Sequence, residues 1–505
     1  MAIPKVVGME TEYGIVQRGA DSNPISASSL LINAYVQHLE LAEEAGESAQ
    51  DKVDWDFEDE SPGNDARGFA RDGSMPPEIE THLVNTVLTN GARLYVDHAH
   101  PEFSTPECRD ALEVVQWDRA GEEVLIRSMR AARRLLPPGQ EILIHKNNSD
   151  GKGNSYGCHE NYLMDRAVPF ARIVQRIMPH FVTRQIYCGA GKVGCEAANT
   201  GDRKVHFQVS QRADFFEEEV GLETTLKRPI VNTRDEPHGD AQKYRRLHVI
   251  VGDANLSEVA TFLKVGVTSL VLAMIEDDWW GSTDLSLAAP VAAIRQTSYD
   301  TSLSETLEMA DGRTMTPLEI QWELFDLARK YADDRGLEPV VESVGREILR
   351  RWEAVLNGLE TDPASLSTQI DWIAKQRLME GYRERHGLEW GDTRLNALDL
   401  QYHDLRPDRS LFAKVGMETI VEQSDVDDAV HDPPTTTRAW FRGQCLKRWS
   451  SSITAANWDS IVFDLGADSL KRVGMMEPLK GTEAGLRALM DTCETPAELI
   501  AKLGA

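Results

Sequence analysis

K-V-V-G-M-E-T-E-Y-G-I-V (residues 5–16) alternates apolar and polar side chains with a period of two. Val7, Met9, Thr11, Tyr13 and Ile15 fall on one face, and Gly8, Glu10, Glu12 and Gly14 on the other. Successive side chains of a strand point to opposite sides, so the pattern is that of a strand with one face on a core. Glu10 and Glu12 then share a sheet face and repel each other. A divalent cation between them relieves that repulsion, and oxygen ligands of this kind suit Mg²⁺. A solvent-facing antiparallel sheet carries the same E-x-E pattern without any ion.

Working outward, the pattern predicts a helix over 28–45 and, over 46–80, a polar, acidic stretch rich in Gly and Pro. That stretch reads as an inserted flexible loop, and loops of this length in a compact domain are functional or disordered. A helix near 78–88 leads to a strand at 92–97, with Arg93, Tyr95 and Asp97 on one face. Further strands are expected at 141–145, 205–211 and 247–251, and a buried helix over 255–275 capped by Asn255 or Ser257. Residues 301–412 are mainly helical and polar, and an acidic, turn-rich stretch at 422–434 precedes a last block. The mixed order of elements gives an α+β fold, not a doubly wound one. Its expected domains are 1–430, carrying the 46–80 insertion, and a small C-terminal domain over 431–505.

The 505 residues are 41% hydrophobic and 27% charged, the usage of an ordinary globular chain. The formal charge of −28 gives no general attraction to nucleic acid or anionic lipid, so neither is an expected partner. An anionic ligand must be met by a local cluster of basic groups or metal ions. The six cysteines include no C-x-x-C pair and read as reduced thiols of a cytoplasmic protein. The N-terminus lacks the pattern of a signal peptide, and the longest apolar run, 265–275, is shorter than the roughly 20 residues a bilayer span needs.

Four other clusters carry chemistry. R-L-Y-V-D-H-A-H-P-E (93–102) packs a phenol, two carboxylates and two imidazoles into eight residues. Asp97 there is a general base or nucleophile beside metal-bound oxygens, or else a strand-end cap. H-K-N-N-S-D-G-K-G-N-S-Y-G-C-H-E-N (145–161) is a loop able to approach a ligand closely, with His159 as a candidate ligand, and it is not a P-loop. The stretch 227–255 is locally basic and puts His248 on the strand face opposite Leu247 and Val249. Its arginines suit phosphate oxygens, or guard a strand edge. Arg438 and Arg442 share a helix face, and Trp458 either stacks on a base or packs in the core. No G-x-S-x-G, H-E-x-x-H or zinc-type Cys/His spacing supports serine-triad or zinc chemistry.

Together, G-M-E-T-E-Y-G (8–14), N-G-A-R-L-Y-V-D-H-A-H-P-E (90–102), K-N-N-S-D-G-K-G-N-S-Y-G-C-H-E-N-Y (146–162), N-T-R-D-E-P-H (232–238), Y-R-R-L-H-V-I-V-G-D-A-N (244–255) and T-R-A-W-F-R-G (437–443) resemble the actinobacterial Pup ligase and depupylase family over nearly the whole chain. The resemblance implies a glutamine-synthetase-like catalytic domain, an open, mostly antiparallel β-sheet cradle binding MgATP, with a small C-terminal domain. The ligase joins the C-terminal glutamate side chain of Pup, a small disordered tag, to substrate lysines. The depupylase hydrolyses that isopeptide bond and deamidates Pup ending in glutamine, with ATP as a bound cofactor. The insertion W-D-F-E-D-E-S-P-G-N-D-A-R-G-F (55–69) and the short Y-V-D-H-A-H-P segment (95–101) resemble the depupylase branch.

Carried over by motif, Glu10, Tyr95, Glu102, His159 and His248 are implied metal ligands, although imidazole is a less usual magnesium ligand than oxygen. Glu12, Arg93, Thr105, Asn161, Arg234 and Trp458 are implied at the cofactor, and Asp97 as the catalytic carboxylate. The implied partners are Pup and pupylated proteins, with a functional link to the bacterial proteasome. Pup is acidic, so the stretch 227–246 is expected to form a basic wall for it. The competing readings are the ligase itself, a carboxylate–amine ligase acting on small molecules, and a non-catalytic Pup-binding adaptor.

Overall fold

The computed structural model describes residues 1–20, 23–42, 52–58, 60–68, 83–197, 203–466 and 469–504. Ten strands among them form one sheet: β1 (Val7–Glu12), β2 (Val53–Trp55), β3 (Asn85–Val87), β4 (Arg93–Asp97), β5 (His100–Ser104), β6 (Cys158–Asp165), β7 (Tyr244–Val249), β8 (Ile453–Ala456), β9 (Ser460–Phe463) and β10 (Lys471–Gly474). Their order is β7-β6-β1-β5-β4-β3-β2-β8-β9-β10. Every neighbouring pair is antiparallel except β2 and β8. The α+β class and the open, mostly antiparallel cradle are therefore as expected.

One face of this sheet is covered by helices. Val7, Met9, Leu94, Phe103, Tyr162 and Leu247 are buried in a core shared with the helices Ala111–Leu135 and Glu258–Glu276. The first helix starts where the Asp110 carboxylate accepts the N–H groups of Leu112 and Glu113. It lies close because Gly121 has no side chain: a Cβ there would sit 2.4 Å from the Phe103 ring. Ser257, not Asn255, caps the second helix by accepting the Ala260 N–H. That helix has the length and apolarity of a membrane span, longer than the apolar run read from sequence, but it is wholly enclosed by the protein. Such enclosure is the ordinary fate of an all-round apolar helix in a large core.

Several expectations shift. The single strand read at 5–16 is two strands in different sheets: after Tyr13, Gly14–Arg18 pairs with Glu141–His145. The 78–88 segment is not helical where described, since Asn85–Val87 forms β3; residues 78–82 lie outside the described residues. Within 205–211 only Phe207–Gln208 is extended, paired with Lys192–Val193. The helix expected at 28–45 starts earlier and is seen over Pro24–Ala42, residues 43–45 lying outside the described residues.

The 46–80 insertion is not a loop throughout. Val53–Trp55 joins the sheet, antiparallel to β3 and parallel to β8, and so connects the N-terminal strands to the C-terminal ones. Val53, Trp55 and Val87 pack with Trp440, Phe441, Ile461, Phe463 and Leu499 in a second apolar core. All six cysteines are free thiols, as the sequence suggested.

Candidate active site

Five adjacent strands, β7, β6, β1, β5 and β4, turn every second residue onto the sheet face opposite the helices. Register then decides who meets whom. Glu10 stands opposite His159 on one side and Ser104 on the other. Glu12 stands opposite Glu102, and Glu102 opposite Tyr95. His248 stands opposite Asn161, and Arg93 opposite Ser104. Residues nearly 240 positions apart in the chain thus share one surface.

Two clusters result, each with ligand atoms within 4.8 Å of one another: Glu10, His159 and His248, and Glu12, Asp97 and Glu102. In the first, Asn161 is the organiser. Its Nδ2 donates to Glu10 Oε1 at 2.9 Å, and its Oδ1 accepts from Arg246 Nη1 at 2.9 Å and lies 2.8 Å from His248 Nδ1. With Nδ1–H engaged there, His248 Nε2 carries a lone pair, and that buried atom has no hydrogen-bond partner among the described residues. Burial and the Arg246 charge hold the His248 ring well below its ordinary pKa, so it is neutral. Burial works to raise the Glu10 carboxyl, but the His159 hydrogen bond and the neighbouring His248 ring and Arg246 guanidinium outweigh it and hold it well below its ordinary value.

In the second cluster the three carboxylates differ. Burial opposes ionisation of Glu12, but His100, His159 and the Gly157 N–H, which donates to Oε1 at 2.8 Å, bring its carboxyl down to about 2. Gly157 is needed there: a Cβ would sit 2.3 Å from His159 Nε2 and 2.8 Å from Glu12 Oε1. Burial, then the charges of Asp97, Glu12 and Glu10, drive the Glu102 carboxyl well above its ordinary value. Asp97 is the accessible member, its side chain 29% exposed against 12% for Glu12.

These residues fit divalent cations. Mutual repulsion in the carboxylate cluster is what a cation relieves, and the unpartnered His248 Nε2 is an empty-handed donor of the right kind. Tyr95 borders the carboxylate cluster, and burial with the Glu102 charge raises its phenol well above its ordinary value. Tyr95 is thus a neutral neighbour of the carboxylates.

Of the implied nucleotide residues, Thr105, Asn161 and Trp458 line a pocket on the Glu10 side together with Val6, Gly8, Glu10, Arg246 and Arg438, whereas Glu12 lies in the carboxylate cluster and Arg93 and Arg234 are outside the pocket's lining. Thr105 Oγ1 accepts the Met9 N–H at 3.0 Å, which ties β5's end to β1. The Arg93 guanidinium is sandwiched between the Trp55 and Tyr95 rings, 3.9 Å from each centroid, and its Nε donates to Asn85 Oδ1. Trp458 meets Trp55 edge to face at 5.1 Å. Arg234 is paired with Glu236, whose carboxylate also receives the Ser61 N–H from the insertion. A second, larger polar groove opens on the Glu12 side, with His100, Asn147, Lys152, Tyr156, Lys192 and Trp390 in its walls.

The 227–246 stretch does not form an outward basic wall. Arg245 lies on the helix-covered face, bonded to Asp235 and the Val168 carbonyl, while Arg246 points into the Glu10 cluster. Strand alternation separates these neighbours. Nor do Arg438 and Arg442 make a surface face: both are buried on Glu107, and Arg442 also holds the Gly91 and Trp458 carbonyls.

Sequence reasoning missed Arg212. It is 1% exposed, its Nε and Nη1 have no hydrogen-bond partner among the described residues, and Glu12 and Arg228 are its charged neighbours. Burial together with Arg228 pulls it down to about 10, so it stays cationic and meets any anion brought to the cluster. In sequence it is a single arginine within Ser210-Gln211-Arg212-Ala213-Asp214, which is no motif.

A family model described as Pup-ligase protein matches residues 5–462. The chain belongs to this family. It is 52% identical to the depupylase of Acidothermus cellulolyticus and 47% identical to the Pup deamidase/depupylase of Mycolicibacterium smegmatis, covering 99% of this chain and of each relative. The Pup–protein ligase of a Nocardioides species is 42% identical over 81% of this chain and 90% of its own length. The crystal structure of the complex between Pup and its ligase PafA matches with a TM-score of 0.78 and 31% identity, over 99% of this chain and 95% of that one. PafA in complex with ADP matches with a TM-score of 0.73 and 36% identity, over 81% and 89%.

Proposed function

We propose that this chain is an ATP- and Mg²⁺-dependent depupylase, hydrolysing the isopeptide bond between the C-terminal glutamate side chain of Pup and a substrate lysine, and deamidating Pup that ends in glutamine. The observation that carries the reading is end-to-end sequence similarity to depupylases at 47–52% identity, against a Pup–protein ligase whose sequence matches at 42% identity over 81% of the chain. Its catalytic domain is residues 1–430 and its small C-terminal domain 431–505. Its partners are Pup and pupylated proteins, with a functional link to the bacterial proteasome.

The scissile group is an unstrained amide, so attack needs an activated nucleophile and stabilisation of charge on the carbonyl oxygen. Mg²⁺, when bound, polarises that carbonyl and offsets developing negative charge. Glu10, His159 and His248 would hold one ion, and Glu12 and Glu102, with Tyr95 beside them, another. Arg93, Thr105, Asn161, Arg234 and Trp458 shape the nucleotide side. The Pup terminus enters by the opposite groove, where the exposed Lys152 suits an acidic tail. Asp97, the exposed carboxylate of its cluster, attacks the carbonyl carbon, breaking the C–N bond as the lysine amine leaves with a proton from water and an anhydride forms that water then hydrolyses, or it takes the proton of an attacking water. Arg212 counters negative charge arriving beside Glu12.

Mass spectrometry of a Pup–protein isopeptide conjugate, incubated with this protein and MgATP, tests the reading. Free Pup and unmodified substrate are expected, and neither when nucleotide is omitted. An intact conjugate, with new conjugates forming from free Pup and target protein, moves the chain to the ligase reading.

A further inference from the structure

The turn between β4 and β5 is two residues long, His98 and Ala99, closed by the Asp97–His100 pair. His98 sits there at φ +50°, in the left-handed region. Glycine enters that region freely; other residues are uncommon there, asparagine, aspartate and histidine being the most frequent of them. Non-glycine residues held this way concentrate at functional sites, where the surroundings make use of the side chain. His98 Nδ1 lies 3.0 Å from Asp97 Oδ2. The backbone conformation aims the imidazole back at the preceding carboxylate.

We infer that His98 is a positioning residue for Asp97: its Nδ1–H donates to Oδ2 and fixes the carboxylate rotamer, leaving Oδ1 to act on the substrate. The inference rests on the depupylase reading and on Asp97's role in it. The donor is present in both the Nδ1–H neutral tautomer and the imidazolium, so no titration is required. The His98 ring is 57% exposed, and the turn conformation and the Asp97 contact both act to restrain it. Histidines that orient a reacting or ligating group through one ring nitrogen are a general device.

Three variants separate donor from turn. His98→Ala removes the donor, His98→Gly removes it while relaxing the backbone, and His98→Asn restores an N–H donor near the Nδ1 position on a residue that tolerates positive φ. With a Pup–protein conjugate and MgATP, kcat is expected to fall about 10- to 100-fold in the Ala and Gly variants, with KM and MgATP affinity unchanged, and to recover largely in the Asn variant. Wild-type kcat in the Gly variant assigns the effect to the turn and overturns the inference. So does an Asn variant no better than Ala. Crystal structures of the same variants test positioning without activity: Asp97 should keep its rotamer in wild type and His98→Asn and lose it in His98→Ala. An unmoved Asp97 in His98→Ala overturns the inference. A wild-type protein inert on the conjugate overturns the depupylase reading instead, and leaves the structural comparison to decide the role of His98.

Discussion

Asp97 shares a cluster with Glu12 and Glu102 but differs from both in exposure and in its turn-end position. A carboxylate meant to hold an ion profits from burial and fixed neighbours, whereas one that meets a macromolecular substrate must be reached. Asp97→Asn keeps volume and removes the charge. It is expected to abolish conjugate cleavage, a loss of at least about a thousandfold for a group acting on the reacting atoms, while MgATP binding measured by calorimetry persists. Lost nucleotide binding would make Asp97 a metal-site residue. The residue types at this site were legible in sequence because strand alternation puts Glu10 with Glu12, and Tyr95 with Asp97. What was not legible is the division of labour among them, because burial, hydrogen bonds and neighbouring charge set it. Asn161 illustrates the point: in sequence it is one polar residue of a motif, and in the fold it orients both Glu10 and His248.

At the scale of elements, two connections stand out, and both run through the C-terminal block. Glu107 lies beneath Arg438 and Arg442. Burial opposes its ionisation, but the two guanidinium groups bring its carboxyl down to about 2 from an ordinary 4.5. A depressed carboxyl adds stability that is complete above about pH 4.5 and is lost as the pH falls towards 2. Glu107→Gln is expected to cost about 3 kcal/mol at neutral pH, the usual result of breaking a buried ion pair, and to flatten acid unfolding between those values in denaturation experiments. The other connection is the strand Val53–Trp55, which the sequence presented as loop. Its three residues have too short a period to register, and they are extended only because β3 and β8 flank them. Trp55→Ala removes one side of the Arg93 sandwich, a contact worth about 1–2 kcal/mol when desolvated, so MgATP affinity is expected to fall about tenfold. Trp55→Phe keeps a ring over the guanidinium and should restore most of it; equal affinity in all three proteins would remove Arg93 from the nucleotide site.

At the scale of the whole molecule, the central issue is negative charge. A chain at −28 gathers three carboxylates with ligand atoms within 4.8 Å, and their mutual repulsion opposes folding, a cost that a bound cation would relieve. Ligands that bind only the folded state stabilise it by mass action, about 2.7 kcal/mol at a hundredfold excess over Kd. Magnesium is therefore expected to raise the melting temperature and a chelator to reverse the rise. Glu102→Gln should melt higher than wild type without Mg²⁺ and gain less from it, and an unchanged magnesium response would place the ion elsewhere. The expected basic wall at 227–246 failed at this same scale. Net charge says that a local basic surface is needed for an acidic partner, but it cannot say which arginines face outward.

The sequence by itself determined the α+β class, the face on which the carboxylates lie and the family resemblance. Those follow from local alternation and from residue spacing, which survive without knowledge of the partners. Tertiary structure alone decided that β1 ends at Glu12, that Val53–Trp55 bridges the sheet, that Arg438 and Arg442 are buried on Glu107, and that Arg212 and His98 turn towards the site. Each of these depends on register or packing between segments far apart in the chain, and a strand's pairing partner is not encoded in the strand's own residues.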